Sequence, residues 1–109
     1  MTRQPKFFEI SALQRQRAKR GEHYLEFLRV PAMSTGVYVL SAGGIDSQTP
    51  HLEDEMYYVV SGRARMRLGS EERLVSAGSV IFVPAHLDHR FFDIVEELVV
   101  LVFFAPPES

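Results

Sequence analysis

Cysteine is absent from this chain of 109 residues. Without cysteine the protein has neither a disulfide framework nor a thiolate metal site. Any metal ion must therefore be held by histidine, by carboxylate or by the main chain. The lack of disulfides also makes a cytoplasmic location the simplest expectation.

Long hydrophobic runs and a strong net charge are missing as well. No apolar run approaches the roughly 20 residues that a membrane-spanning helix needs, and the first eight residues lack the apolar stretch of a signal peptide. The net charge is -2, and the basic residues cluster only at 15–20. That cluster is a thin basis for nucleic-acid binding. We therefore expect no nucleic-acid or membrane partner.

The sequence does contain a regular series of short β-type segments. Its length and its 46% hydrophobic content suit one domain over 1–109. Ser11 is expected to cap a short helix that runs through Arg20 and ends at Gly21. From residue 24 onward, turns separate runs of β-branched and aromatic residues, which predicts an all-β sandwich or barrel with its core at about 24–104. The eight predicted strands are 24–30, 36–41, 56–60, 63–68, 72–75, 79–83, 89–93 and 98–104. Residues 105–109 are expected to be a frayed end.

The faces of these strands predict how the domain assembles. Residues 63–68 alternate arginine with apolar residues, which is typical of a strand with one face in solvent. Residues 56–60, 80–83 and 98–104 are apolar on both faces, so their outer faces need to be covered. A second sheet, the N-terminal helix or another subunit would cover them. We expect a homodimer, and the alternative is that the N-terminal helix provides all of the cover.

Two imidazoles and one carboxylate are the candidate metal ligands. His51 and Glu55 lie four residues apart at the start of an apolar strand, and His89 follows a turn segment at 78–84. Such ligands suit a divalent transition metal, and three of them leave two or three coordination positions open. The residues therefore predict one metal ion, such as Fe, Mn, Ni or Zn, with room for water, dioxygen or a substrate.

The same residues resemble the two motifs of the cupin superfamily. The first motif is Gly, five residues, His-x-His, three or four residues, Glu, six residues and Gly. Glu55 and Gly62 match its end, and His51 matches its second histidine. The second motif is Gly, five residues, Pro-x-Gly, two residues, His, three residues and Asn. It is matched by Gly78, Pro84 and His89. The resemblance implies a small jelly-roll β-barrel with a mononuclear metal inside.

The chain departs from these motifs at three positions. Thr49 stands where the first histidine would be, so one of the family's usual four metal ligands is missing. Gln48 and Glu53 are nearby polar side chains that could replace it. His86 replaces the glycine of the second motif; we interpret it as a turn residue, with a ligand role as the minority alternative. Asp93 replaces the final asparagine and is either an acceptor that orients the neighbouring histidine ligand or a residue at a strand end.

The resemblance alone does not select an activity, because the superfamily contains enzymes of many classes and also binding proteins. Two histidines and one glutamate with open positions form the arrangement of non-heme iron oxygenases, so we expect a dioxygenase-type enzyme acting on a small organic molecule. The alternatives are a metal-assisted isomerase or lyase, a non-catalytic small-molecule-binding or sensor protein, and a metal-free barrel. Tyr57 shares the strand parity of Glu55 and is the candidate catalytic residue, as a donor to a bound oxygen or a general acid. The alternative for Tyr57 is a core aromatic residue.

Overall fold

A computed structural model describes residues 3–109 of the protein. Within this range, one helix, α1, precedes six strands. The elements are α1 (Ile10–Arg20), β1 (Tyr24–Val30), β2 (Met33–Leu40), β3 (Asp54–Leu68), β4 (Glu71–Ser76), β5 (Val80–Val83) and β6 (His89–Ala105). No helix in this part of the chain is long and apolar enough to cross a membrane.

The strands form one antiparallel sheet that curls around the main hydrophobic cluster. The order of neighbours is β1, β2, β6, β3, β4, and β5 pairs with the first part of β3. Inward side chains of β2 to β6 meet in one hydrophobic cluster, which includes Tyr57, Val59, Phe91 and Val100. A flat sheet cannot bring the inward side chains of five strands into mutual contact, so the sheet is curled into a barrel shape. The predicted all-β barrel architecture is confirmed.

Two of the strands are much longer than the sequence predicts. β3 has 15 residues and contains the two predicted strands 56–60 and 63–68, while β6 has 17 residues and contains 89–93 and 98–104. Gly62 does not end a strand; it has φ 97° and lies among register shifts between β3 and β6. A Cβ atom at this position would overlap the carbonyl oxygen of Glu97 in the neighbouring strand. The bulges bend both strands, so each one crosses from one end of the barrel to the other.

Helix α1 begins one residue before the predicted cap. Glu9 is the N-cap residue, without a side-chain hydrogen bond, and Ser11 lies inside the helix. The prediction of Ser11 as the cap is wrong, because burial of Leu13 against Leu25 and Val37 determines where the helix lies. The predicted end is confirmed: Gly21 adopts the left-handed conformation, and its N–H bonds to the carbonyl of Ala18.

The helix covers only one part of the outer face of the barrel. It packs on β1 and β2, whereas Met56, Tyr58, Val80 and Phe82 remain 40–61% exposed on β3 and β5. These four side chains are neighbours, because Met56 pairs with Phe82 and Tyr58 pairs with Val80. The alternative in which the helix provides all of the cover is therefore wrong. The homodimer stays a prediction.

The last four residues fold back onto the barrel, so the prediction of a frayed end is wrong. The N–H of Glu108 donates to the Ser34 hydroxyl at 3.0 Å, and the Arg29 guanidinium donates to the carbonyl of Glu108. The N–H of Ser109 donates to the Glu53 carboxylate at 3.2 Å. These contacts hold the tail segment (residues 106–109) against the barrel mouth that contains the histidines, and nothing in the local sequence indicates them.

Candidate metal centre

Two loops and two strand ends bring the predicted ligands together. Glu55 is the second residue of β3 and His89 is the first residue of β6, and each side chain is almost completely buried. His51 lies in the loop that precedes β3. The carbonyl of His51 accepts a hydrogen bond from the N–H of His86 at 2.7 Å. The loop before β3 is thus attached to the turn before β6, which places both motifs at one end of the barrel.

The ligand atoms of these three residues converge on one point. One ligand atom from each of His51, Glu55 and His89 lies within 4.8 Å of the other two. The Oε1 atom of Glu55 is 3.1 Å from Nε2 of His89 and 3.8 Å from Nε2 of His51. The predicted set of three is therefore a single cluster, and it is a candidate site for a metal ion.

The unpaired polar atoms of the cluster fit a metal ion. Both carboxylate oxygens of Glu55 and the Nε2 atom of His89 are buried without a hydrogen-bond partner within residues 3–109 when His89 is neutral, because Nε2 and Oε1, 3.1 Å apart, are then two acceptors facing each other. A buried polar group without a partner costs roughly 1–3 kcal/mol, so native proteins rarely leave three of them together. A divalent cation would satisfy all three atoms, and imidazole with carboxylate is a suitable donor set for it.

His89 is oriented by the main chain. Its Nδ1 atom lies 2.9 Å from the carbonyl oxygen of Leu87, which can only accept, so Nδ1 carries the proton and Nε2 presents its lone pair to the cluster. Burial lowers the pKa of His89, but the Glu55 carboxylate and the Leu87 carbonyl outweigh it and raise the pKa overall. The predicted acceptor role of Asp93 is wrong, and so is its alternative as a residue at a strand end, because Asp93 lies inside β6. Asp93 lies at an exposed bulge of β6 with φ 47°, where its carboxylate faces Arg65 at 3.9 Å.

His51 has a polar partner on each side of its ring. The Nε2 atom is 2.9 Å from Oε1 of Gln48, and the Nδ1 atom is 3.4 Å from the carboxylate of Glu108 in the tail segment. The ring also packs edge-on against Phe104, with centroids 4.9 Å apart. Sequence reasoning missed Glu108, because a contact between residues 57 positions apart along the chain has no local signal.

Tyr57 is a buried aromatic residue beside the cluster. It is 0% exposed and its ring packs against Phe91 and His89. Its hydroxyl oxygen accepts a hydrogen bond from Nε2 of Gln48 at 3.1 Å. Burial raises the pKa of Tyr57 well above its usual value, and the Glu55 carboxylate adds to this shift. Tyr57 therefore keeps its proton, and its catalytic role stays a prediction.

Of the polar residues that surround His51 in sequence, only Gln48 faces the cluster. The carboxylate of Glu53 is buried but turns toward the tail segment, where it accepts from the N–H of Ser109. His86 has φ 71° and lies in the turn before β6, so its interpretation as a turn residue is confirmed. Thr49 is exposed.

A buried aspartate that sequence reasoning missed shapes the loop that carries Gln48 and His51. Asp46 accepts from the hydroxyl of Tyr38 at 2.8 Å, from the N–H of Gln48 at 3.3 Å and from the N–H of Phe91 at 3.0 Å. The bond to the N–H two residues later is an Asx turn, which is the local signal that could have identified Asp46. Because Phe91 belongs to β6, Asp46 fixes the loop to the strand that supplies His89.

A cavity of about 280 Å³ opens next to His51. Its walls are formed by Tyr24, Tyr38, Ser47, Gln48, Thr49, His51, Val102, Phe104 and Glu108. The hydroxyl of Tyr24 is buried there without a partner in the described chain, and burial, together with the Glu108 carboxylate, raises its pKa. None of the described wall residues is lysine or arginine. A larger cavity of about 810 Å³ lies near Arg63 and Arg65, but its walls include none of the three ligands.

Comparisons with known proteins agree with this architecture. The sequence profile of the family described as cupin domain matches residues 36–104. An uncharacterised protein of Streptomyces coelicolor is 51% identical over 104 residues, which cover 95% of this chain and 99% of that protein.

Two solved structures place the barrel among known folds. The structure of a Thermus thermophilus protein superposes with a TM-score of 0.68 and 26% identity, over 77% of this chain and 82% of that chain. A Methanocaldococcus jannaschii protein described as an RmlC-like cupin with a double-stranded β-helix fold superposes with a TM-score of 0.69 and 15% identity, over 76% of this chain and 78% of that chain. The second likeness concerns the fold alone. From the profile match, the close relative and the shared barrel, this chain belongs to the cupin domain family.

Proposed function

We propose that this protein is a mononuclear-metal enzyme of the dioxygenase type that oxidises a small organic molecule. His51, Glu55 and His89 would hold the metal. The observation that carries the proposal is the group of three unpartnered buried atoms, two on Glu55 and one on His89, that lie in one cluster with His51, which lines the adjoining cavity. An enzyme site needs a metal with open positions, and three protein ligands leave two or three of them.

The residues around the cluster suit binding of a neutral substrate. The cavity volume of about 280 Å³ fits a small molecule, and its walls combine aromatic rings with hydroxyl groups. Glu108 contributes a carboxylate, and no described wall residue carries a compensating positive charge. The wall therefore has no lysine or arginine side chain that would pair with an anionic group away from the metal, so we propose a neutral phenol, enol or diketone.

Two tyrosine hydroxyls and two apolar side chains near the cluster have defined tasks in this proposal. Tyr24 and Tyr57 keep their protons because burial raises the pKa of each, so both can donate a hydrogen bond to an oxygen atom. Phe104 and Val102 exclude water from the space next to His51. When bound, a redox-active divalent metal such as iron would supply Lewis acidity and electron transfer to dioxygen. The organic substrate accepts both oxygen atoms and supplies the electrons, so the reaction needs no separate reductant.

Metal analysis and oxygen uptake test the proposal together. Protein purified without chelator should contain about one transition metal per chain, and His51→Ala and Glu55→Ala should each remove it. Glu53→Gln is the matched control, because Glu53 is a buried carboxylate of the same loop that lies outside the cluster. Loaded protein should then consume dioxygen with a panel of neutral phenols, enols and 1,3-diketones. Metal retained in both alanine variants would refute the site, and full metal occupancy without oxygen uptake would refute the dioxygenase.

A metal-assisted isomerase or lyase is the second candidate. It is favoured by an acid and a base on the wall of the same cavity, the protonated hydroxyl of Tyr24 and the carboxylate of Glu108. Such a pair can move a proton between two carbon atoms without dioxygen. Anaerobic incubation with the same panel in D₂O, followed by proton NMR, would show deuterium incorporation that Tyr24→Phe reduces. Binding of panel compounds without exchange or oxygen uptake would indicate a non-catalytic binding or sensor protein.

A further inference from the structure

The side-chain amide of Gln48 is held in place beside the three candidate ligands. Its Nε2 atom donates to the hydroxyl of Tyr57 at 3.1 Å, which turns its Oε1 atom toward Nε2 of His51, 2.9 Å away. Tyr57 is completely buried, so the hydroxyl that anchors the amide cannot move far. The main-chain N–H of Gln48 is also fixed, because it donates to the buried carboxylate of Asp46. Gln48 is therefore oriented from two sides.

The spacing of the oxygen and nitrogen atoms is that of neighbouring ligands on one ion. Two atoms that bind a metal at about 2.1 Å and at a right angle to each other lie about 3.0 Å apart. The Gln48 Oε1 to His51 Nε2 distance is 2.9 Å, and the Glu55 Oε1 to His89 Nε2 distance is 3.1 Å. Both pairs fit this spacing. When His51 carries its proton on Nδ1, next to Glu108, its Nε2 atom has a free lone pair. Gln48 Oε1 and His51 Nε2 could then both offer a lone pair to the same metal ion.

We propose that Gln48 is the fourth metal ligand, through Oε1, in place of the histidine that Thr49 replaces in the family motif. This inference rests on the proposed metal site and assigns one further residue to it. An amide oxygen is neutral, so the metal would keep a net charge of about +1 after binding Glu55. A six-coordinate ion would still keep two positions for substrate and dioxygen. Glu53 cannot take this role, because its carboxylate faces the tail segment.

Three variants test the assignment by metal affinity. Affinity is measured by competition with a chromophoric chelator, using Co²⁺ as the probe metal. Gln48→Ala should weaken Co²⁺ binding by about 100-fold or more, because even the loss of an outer partner of a ligand costs roughly 10- to 100-fold. Gln48→Glu should bind at least as tightly as the wild type, because it offers an anionic oxygen of the same reach. Thr49→Ala, at the motif position itself, should leave Co²⁺ affinity unchanged.

The Co²⁺ spectrum separates a ligand from a residue that only orients His51. If Gln48 binds the metal, X-ray absorption and the visible bands of Co²⁺ should change in Gln48→Ala, with one protein oxygen fewer, and return in Gln48→Glu. Circular dichroism of each variant establishes that it is folded. Unchanged affinity and spectrum in folded Gln48→Ala would overturn the inference while leaving the three-ligand site intact. Weaker Co²⁺ binding in both Gln48→Ala and Gln48→Glu, with unchanged X-ray absorption and visible bands, would also overturn the inference. Failure of the wild type to bind Co²⁺ would instead overturn the metal site itself.

Discussion

The Glu55→Gln variant should be more stable than the wild type without metal, and less stable than the wild type when metal is added. In the metal-free protein, two buried oxygens of Glu55 have no partner, and such groups cost roughly 1–3 kcal/mol each. Glutamine has almost the same volume and removes the charge. At pH 8 without metal, we expect Glu55→Gln to raise the free energy of unfolding by about 1 kcal/mol. That corresponds to a Tm increase of about 4–8 °C for a domain of this size.

With metal present, the wild type should become the more stable protein. A ligand at 100 times its Kd adds about 2.7 kcal/mol to the free energy of unfolding, which is about 10–20 °C in Tm. The variant lacks the anionic ligand and should gain little. Differential scanning calorimetry with chelator and with Co²⁺ gives the Tm of wild type and variant in both conditions. The control Glu53→Gln should show the same increase in Tm with Co²⁺ as the wild type. An equal Tm increase in wild type and Glu55→Gln, or a large loss of stability in the metal-free variant, would refute the reasoning.

Three further predictions concern pH, the tail segment and assembly. The pKa of His89 is raised in the folded protein. Protonated His89 therefore stabilises the metal-free protein fully at pH values below 6.5, the usual pKa of histidine. This stabilisation is lost as the pH rises through the raised pKa. Protons should accordingly displace the metal as the pH falls through the imidazole range, and unchanged occupancy down to pH 4 would contradict this. Glu108→Ala should weaken metal affinity roughly 10-fold, because it removes the carboxylate beside Nδ1 of His51; equal affinities by chelator competition would count against that role. Phe82→Glu places a charge on the exposed apolar face and should convert the expected homodimer to a monomer in analytical ultracentrifugation; a wild type that is already monomeric would contradict the dimer.

The strand pattern and the ligand types were predictable because they depend on local properties. Alternating and β-branched runs predict strands wherever they occur, and the positions of His51, Glu55 and His89 relative to turn residues are readable along the chain. The breaks between strands were not predictable in the same way. Gly62 has the properties of a turn residue, but the neighbouring backbone of β6 makes its positive φ part of a bulge inside one long strand.

The partners of the ligands could be assigned only with the folded chain. Asp93 follows the motif that contains His89, yet the acceptor for His89 is a main-chain carbonyl two residues before it. At the bulge in β6 the side chain of Asp93 lies on the exposed side, away from the cluster. The alternation of polar and apolar residues along the sequence does not indicate this bulge. Glu108 is distant in sequence from His51. It reaches the ring only because the N–H groups of Glu108 and Ser109 donate to the side chains of Ser34 on β2 and of Glu53.

By itself the sequence determined the class of fold, the family resemblance and the three candidate ligands, because hydrophobic alternation, turn residues and ligand chemistry are all properties of short segments. Only the tertiary structure decided which polar neighbour faces the cluster. Gln48 and Glu53 were equivalent candidates along the chain, and contacts with Tyr57 and Ser109 turn one side chain toward the cluster and the other away from it. Side-chain direction in an irregular loop depends on partners from distant strands, and those partners exist only after the barrel has closed.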